Sequence, residues 1–376
     1  MQKIKNIEFL RVIGCLAIVL LHLFNKARLF GLFPDIDLYR HFMSMTSSGQ
    51  KAVDLFFIIS GFFFVYKLDI TQSLWNFIKK KIIRLYPVFI FCIIASFIIS
   101  LTGAFPFTLY DNILNLLGLN GTFLVLKVGN VGQFWYVSAM LWVLALYFYL
   151  LKNYKKQNVN LTIAIIVMFC YGFMIHAKHG AINNHEQTFY YIFNVGMMRA
   201  LGGIGVGYFI AEWYKNNLES IKNLVLSIKA KTALTLLEFV CIFFIINNLM
   251  LHRPSFKNHI LFIIAFAAII ICFLLQQGFI SRWLNNDLWV NLSKYTYSIY
   301  MTHILIFNTF KGSLWQYNPG WVYVHPILNL SIVLTLVLIL GIFTYHCVEV
   351  PCAKYLKDLW LNVPETVTEQ ERRGGG

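Results

Sequence analysis

Glu8-Phe-Leu-Arg11-Val-Ile-Gly-Cys-Leu-Ala-Ile-Val-Leu-Leu-His22 is an apolar run with an arginine near its start and a histidine at its end. At 1.5 Å and 100° per residue, the steps from Arg11 to His22 make about three turns plus ~20°, so both side chains share one helix face ~16 Å apart. A charged side chain inside a spanning helix costs roughly 2.5–3.5 kcal/mol and marks a functional candidate. The run carries Arg11 and lacks a small-residue cleavage site, so it reads as a retained first helix and not as a signal peptide.

The rest of the chain repeats this pattern. Of 376 residues, 59% are hydrophobic, 17% aromatic and only 12% charged, about half the charged share of a soluble domain. The apolar residues fall in runs long enough to cross ~30 Å of hydrocarbon, separated by short polar segments. Helices are predicted at 7–24, 53–68, 85–104, 133–151, 159–176, 189–213, 233–251, 258–277, 289–310 and 326–349. The expected fold is therefore all-α: a single bundle of about ten transmembrane helices. The stretch Asp111–Val131 is apolar but broken by Gly118, Gly121 and Gly129, which suits a re-entrant or interfacial segment.

The formal net charge of +15 is spread through the loops and forms no single basic patch with interleaved aromatics, which argues against nucleic acid as a partner. With the N-terminus inside, eighteen Lys and Arg fall in inner segments and nine in outer ones, so both termini are expected to be cytoplasmic. Residues 1–362 read as one domain. The polar tail 363–376, ending Gly374-Gly375-Gly376, reads as disordered and apart from function. The seven cysteines lie in or beside apolar runs without CxxC spacing, and free thiols are expected. His176, His179 and His185 lack supporting carboxylates or cysteines at ligand spacing, so no metal site is expected.

Several residues admit two readings. Arg11 is either a ligand for an anion or a side chain snorkelling to headgroups. His22 is either a base or a donor to a loop carbonyl. Lys79-Lys80-Lys81 is either an anion site or ordinary positive-inside anchoring. Arg199 is followed by Gly202, Gly203, Gly205 and Gly207, which allow a close neighbour; its pairing with Glu212 is geometrically poor, leaving its partner unassigned.

Taken together, the motifs resemble the acyltransferase-3 family of bacterial membrane acyltransferases. Arg11 and His22 are spaced as in the family's first helix, and Val53-Asp54-Leu-Phe-Phe-Ile-Ile-Ser60-Gly61-Phe62 is similar to its second-helix signature. Arg84-Leu-Tyr86-Pro87, Phe134-Trp135-Tyr136, Tyr297-Ser-Ile-Tyr300-Met-Thr-His303 and Val348-Glu349-Val350-Pro351 follow in family order. Ile7-Glu8-Phe9-Leu10 departs from the usual Asp-Gly-Leu or Asn-Leu before the arginine, which leaves the acceptor open.

The resemblance implies transfer of an acyl group, acetyl foremost, from cytosolic acyl-coenzyme A as co-substrate to a hydroxyl of a surface or lipid-linked glycan. The setting would be the bacterial cytoplasmic membrane, with membrane lipid around the protein. In the expected topology Arg11, Arg84 and Glu349 lie toward the cytoplasmic side, and His22, Asp54 and His303 in the outer half. Arg11 and Arg84, with Lys81 beside them, would hold the anionic donor. His22 would act as base, with Asp54 fixing its tautomer. His303 and Tyr300 would act on the thioester or acceptor, or else bond helices together. Arg199 and Trp135 would line the substrate path, Ser60 would support the site, and Glu349 would pack against Arg11 or Arg84. The rival class is an exporter whose path is lined by Arg11, Arg199 and the histidines.

Overall fold

A computed structural model describes residues 4–29, 49–101, 103, 108–120, 122, 133–178, 188–189, 193–250, 256–312 and 324–361. Long helices occupy each of the ten regions predicted from the apolar runs. These are α1 (Lys5–Leu29), α2 (Ala52–Tyr66), α3 (Leu74–Ser100), α4 (Phe134–Asn153), α5 (Lys156–Lys178), α6 (Val195–Asn216), α7 (Ile228–Met250), α8 (Phe256–Leu275), α9 (Thr296–Gly312) and α10 (Pro326–Thr344). A π-helical turn, Tyr345–Glu349, joins α10 to α11 (Val350–Leu361). A two-residue antiparallel pairing of Thr188–Phe189 with Phe193–Asn194 precedes α6. The protein is an all-α polytopic membrane protein.

Three boundaries differ from expectation for local reasons. α3 starts at Leu74 and not near 85, because the Ser73 hydroxyl accepts from the Asn76 amide at 3.1 Å and caps the helix. Its 27 residues reach ~40 Å against a hydrocarbon thickness of ~30 Å, so the turns bearing Lys79–Lys81 can project from the apolar layer. The expected helix over 289–310 is broken at Lys294-Tyr295, leaving a short helix Asp287–Ser293 ahead of α9. Within the segment from Asp111, Leu109–Leu116 forms an eight-residue helix, ~12 Å long and too short to cross. Gly118 ends it at φ +66°, a conformation costly for a residue with a Cβ. Tyr86 and Trp142 hold that turn through the carbonyls of Leu116 (3.0 Å) and Gly118 (2.8 Å). Residues 123–132, His179, His185 and the tail from 362 lie outside the described residues.

Among the described residues, seven helices are long and apolar enough to cross a membrane; α6, α8 and α9 are the long helices outside that group. For α6 the reason is its position. It packs against α2, α4, α5 and α8, and most of its side chains are buried in protein. A helix that meets protein on most sides does not have to be apolar toward lipid. α7 is the opposite: it presents most of its apolar side chains outward, Leu236, Phe239, Val240 and Phe243 among them. Its one buried charge, Glu238, accepts from the amides of Ile280 (2.9 Å) and Ser281 (3.3 Å) and so caps the short helix Phe279–Trp283.

α2 and α6 approach more closely than side chains normally allow. A Cβ at Gly61 would press into the Ile204 carbonyl, one at Gly207 into the Ile58 carbonyl, and one at Gly203 would lie 2.7 Å from the Phe57 Cβ. The spacing from Gly203 to Gly207 is the small-xxx-small pattern that brings membrane helices into backbone contact. Gly207→Ala should therefore cut the yield of folded, monodisperse protein and lower its thermal midpoint in detergent. By contrast Gly172→Ala on α5, where a Cβ meets nothing within 4 Å, should be neutral or stabilising by up to about 1 kcal/mol, the usual helix-propensity gain.

Candidate active site

Between α1, α2, α3, α4, α9 and the π-helical turn lies a cavity of about 850 Å³. Its rim carries Lys67, Lys80, Lys81 and Lys294, with Asp69 and Gln72 from the loop between α2 and α3. That loop is tied down: Lys80 donates to the Gln72 side-chain oxygen at 2.8 Å and Lys152 to the Gln72 carbonyl at 2.6 Å. The Thr71 hydroxyl and amide donate to Asp69 Oδ1 at 2.6 and 3.0 Å, which holds the Asp69 carboxyl below the usual carboxylate range. Lys79 does not reach the cavity; its ammonium lies over the Trp75 ring at 5.6 Å.

Further in, Arg11 and Arg84 line the wall with Glu8 and Glu349. Arg11 pairs with Glu8 at 3.0 Å, three residues earlier on the same helix. Glu349 accepts from the Ser298 hydroxyl at 2.6 Å, with both arginines close enough to act on it electrostatically. Cations outnumber carboxylates along the lining, so an anionic group is favoured there. Along α2 the lining runs from Lys67 to Phe56, a depth of ~16 Å at helical rise.

The deep end is aromatic. Tyr136 and Tyr300 pack edge to face with ring centroids 5.7 Å apart, and the Tyr136 and Ser60 hydroxyls meet at 3.3 Å. Tyr300 donates to the Gln133 carbonyl at 3.1 Å. Beyond Tyr300 lie two histidines. The His303 ring is 5.7 Å from the Tyr300 ring and 5.2 Å from that of His22. Nδ1 of His303 lies 2.5 Å from the Tyr300 carbonyl. A carbonyl only accepts, so that nitrogen carries the proton, and in the neutral form of the ring the lone pair is on Nε2. This Nε2 is buried without a hydrogen-bond partner among the described residues.

A family model described as an acyltransferase domain matches residues 4–346, nearly the whole helical bundle. The chain belongs to the acyltransferase-3 family. No curated protein and no solved structure matches it.

Within this membrane acyltransferase the expected site residues fall into three places. Arg11, Arg84, Lys81, Ser60, Tyr300 and Glu349 line the cavity. His22 and His303 stand together just past its aromatic end. Asp54, Arg199 and Trp135 form a separate buried cluster. Arg199 Nε and Nη2 donate to the two Asp54 oxygens, each at 2.9 Å, and Nη2 also reaches the Gln50 carbonyl at 3.0 Å. The guanidinium carbon lies 5.6 Å from the centre of the Trp135 ring. The side chains of this pair are 2% and 1% exposed.

Asp54, expected to orient His22, thus has both oxygens engaged by Arg199, and the partner that Arg199 lacked in the sequence reading is Asp54. Glu212 is paired with Lys156. Arg199 and Trp135, expected on a substrate path, do not line the cavity. Glu349, expected to pack against Arg11 or Arg84, has both arginines near it, and Arg11 takes Glu8 as its ion-pair partner. That pair was legible as an i,i+3 spacing. Tyr136, Lys67, Tyr297 and Tyr345 line the cavity without having been singled out for it; Tyr136 and Tyr297 stood inside quoted motifs, and the others are placed there by the bundle.

The Asp54–Arg199 pair should be structural. Asp54→Asn leaves a buried guanidinium short of its counter-charge, a change that costs about 3–5 kcal/mol in buried pairs. It should sharply reduce folded protein, measured as the monodisperse fraction in detergent. The double exchange Asp54→Leu with Arg199→Met should restore much of that fraction, because removing both charges leaves none uncompensated.

Proposed function

We propose that this acyltransferase moves an acyl group, acetyl foremost, from cytosolic acyl-coenzyme A to a hydroxyl of a surface or lipid-linked glycan, with His22 as general base. The observation that carries this reading is the arrangement of one cavity: cationic at its rim, aromatic at its end, and continued past Tyr300 by two histidines. The phosphates of a coenzyme A would meet Lys67, Lys80, Lys81, Arg84 and Arg11. A depth of ~16 Å accommodates the extended pantetheine arm and carries the thioester toward Tyr136 and Tyr300.

The excess of Lys and Arg in the expected inner segments supports a cavity mouth on the cytosolic side. With that orientation, a glycan presented from outside the bacterial cytoplasmic membrane would reach the histidines from the side opposite the cavity.

The reaction then follows. The His22 imidazole takes the proton of the acceptor hydroxyl as its oxygen attacks the thioester carbonyl carbon. The tetrahedral intermediate collapses, the carbon–sulfur bond breaks, and the imidazolium returns the proton to the departing thiolate. An ester forms and coenzyme A leaves with a free thiol. A neutral His303 with an unshared Nε2 lone pair beside the base favours the imidazolium formed on His22 during attack. The Ser298 hydroxyl, buried on α9, helps to fix Glu349 in place.

Binding and slow hydrolysis of acetyl-coenzyme A by purified protein test this reading. The parent should bind and hydrolyse it. His22→Ala should retain binding within a few-fold and lose hydrolysis by about 10²-fold or more, the usual contribution of a general base. Arg11→Ala should weaken binding by roughly tenfold, as expected when a charge-assisted contact is removed. Absence of binding in all three folded proteins would reverse the assignment in favour of export, which consumes no thioester.

A further inference from the structure

We propose that the ring of Tyr136 is the wall that sets how long an acyl chain this enzyme accepts. The inference rests on the acyl-coenzyme A reading and deepens it. A donor that fills the cavity from its cationic rim brings its acyl end to the deep end, where Phe56, Ser60, Tyr136 and Tyr300 close the space. Tyr136 lies at the centre of an aromatic cluster: its ring centroid is 4.8 Å from Phe57, 5.7 Å from Tyr300, 6.2 Å from Phe56 and 6.4 Å from Trp135. The residues behind it do not yield easily. Phe57 is fully buried, and Trp135 lies over the guanidinium of Arg199, itself fixed by Asp54. Close-packed interiors transmit a clash and do not absorb it, so each methylene beyond the acyl carbonyl meets a braced ring.

Tyr300 is the other side of this wall, but its side chain and backbone serve other contacts. Its hydroxyl donates to the Gln133 carbonyl and its ring packs 5.7 Å from that of His303, so trimming it would disturb the histidines. Tyr136 has no such tie; its hydroxyl meets the Ser60 hydroxyl at 3.3 Å. The ring can therefore be cut back while the histidine pair is left in place. Met140, one turn along α4 and also lining the cavity, is flexible and does not replace a lost ring.

The test is a comparison of thioester hydrolysis with acetyl-, propionyl- and butyryl-coenzyme A, read as free thiol released by purified protein in detergent. One methylene in an apolar pocket is worth about 10–200-fold in discrimination, so the parent should favour acetyl over butyryl by at least roughly tenfold. Tyr136→Ala should lower that ratio by about tenfold or more, and Tyr136→Phe, which keeps the ring, should retain it. Tyr136→Leu replaces the alanine variant if the latter is not monodisperse. An unchanged ratio in the trimmed variants, or a parent that already prefers butyryl, overturns the wall and leaves the donor assignment standing as long as acetyl-coenzyme A is consumed. A parent that hydrolyses none of the three thioesters overturns both.

Discussion

The contact between α2 and α6, made possible by the missing Cβ atoms of Gly61, Gly203 and Gly207, sets the positions of the charged and aromatic side chains around it. With backbones this close, Arg199 on α6 reaches both oxygens of Asp54 on α2. The same guanidinium supports Trp135 at the start of α4, and the next residue, Tyr136, lines the cavity. A chain of contacts thus runs from three hydrogen atoms on glycines to the wall of the cavity. Each link is short, and each depends on the one before it.

The polar residues inside the bundle sort by what surrounds them. Asp54 and Arg199 neutralise each other out of reach of solvent. Arg11 and Arg84 face the cavity with weaker compensation, Arg11 from Glu8 and both from Glu349. A cation whose charge is already matched bidentately has little left for a ligand, whereas one on a cavity wall keeps donors to offer. This distinction separates structural charge from binding charge here better than depth in the membrane does.

Much of the architecture was legible in the chain. Ten apolar runs became ten long helices, and for the seven that are long and apolar enough to cross a membrane hydrocarbon leaves the backbone no other economical way to satisfy its hydrogen bonds. The Arg11 and His22 spacing placed one at the cavity and the other beyond it, since helical rise is fixed. The pairing of side chains was harder to read. Similar expected depths suggested His22 as a neighbour for Asp54 and said nothing of Arg199. Arg199 comes from α6, 145 residues away, brought in beside the glycine face of that helix, and no local spacing reports such a contact. The third helix was placed too short for a related reason: its first turns are basic and lie where hydropathy falls, although Ser73 caps them as helix.

That separation of 145 residues has a consequence for how the protein is made. At ~5–20 residues per second, α6 leaves the ribosome roughly 7–30 s after α2. During that interval Asp54 waits in or near the bilayer without its guanidinium, at a cost of roughly 2.5–3.5 kcal/mol if it sits at mid-depth. α2 is otherwise one of the most apolar segments in the chain, with three phenylalanines in succession at Phe62-Phe63-Phe64, and so is able to remain inserted despite the carboxylate. The arrival of Arg199 ends the wait and locks two helices of different age into one unit.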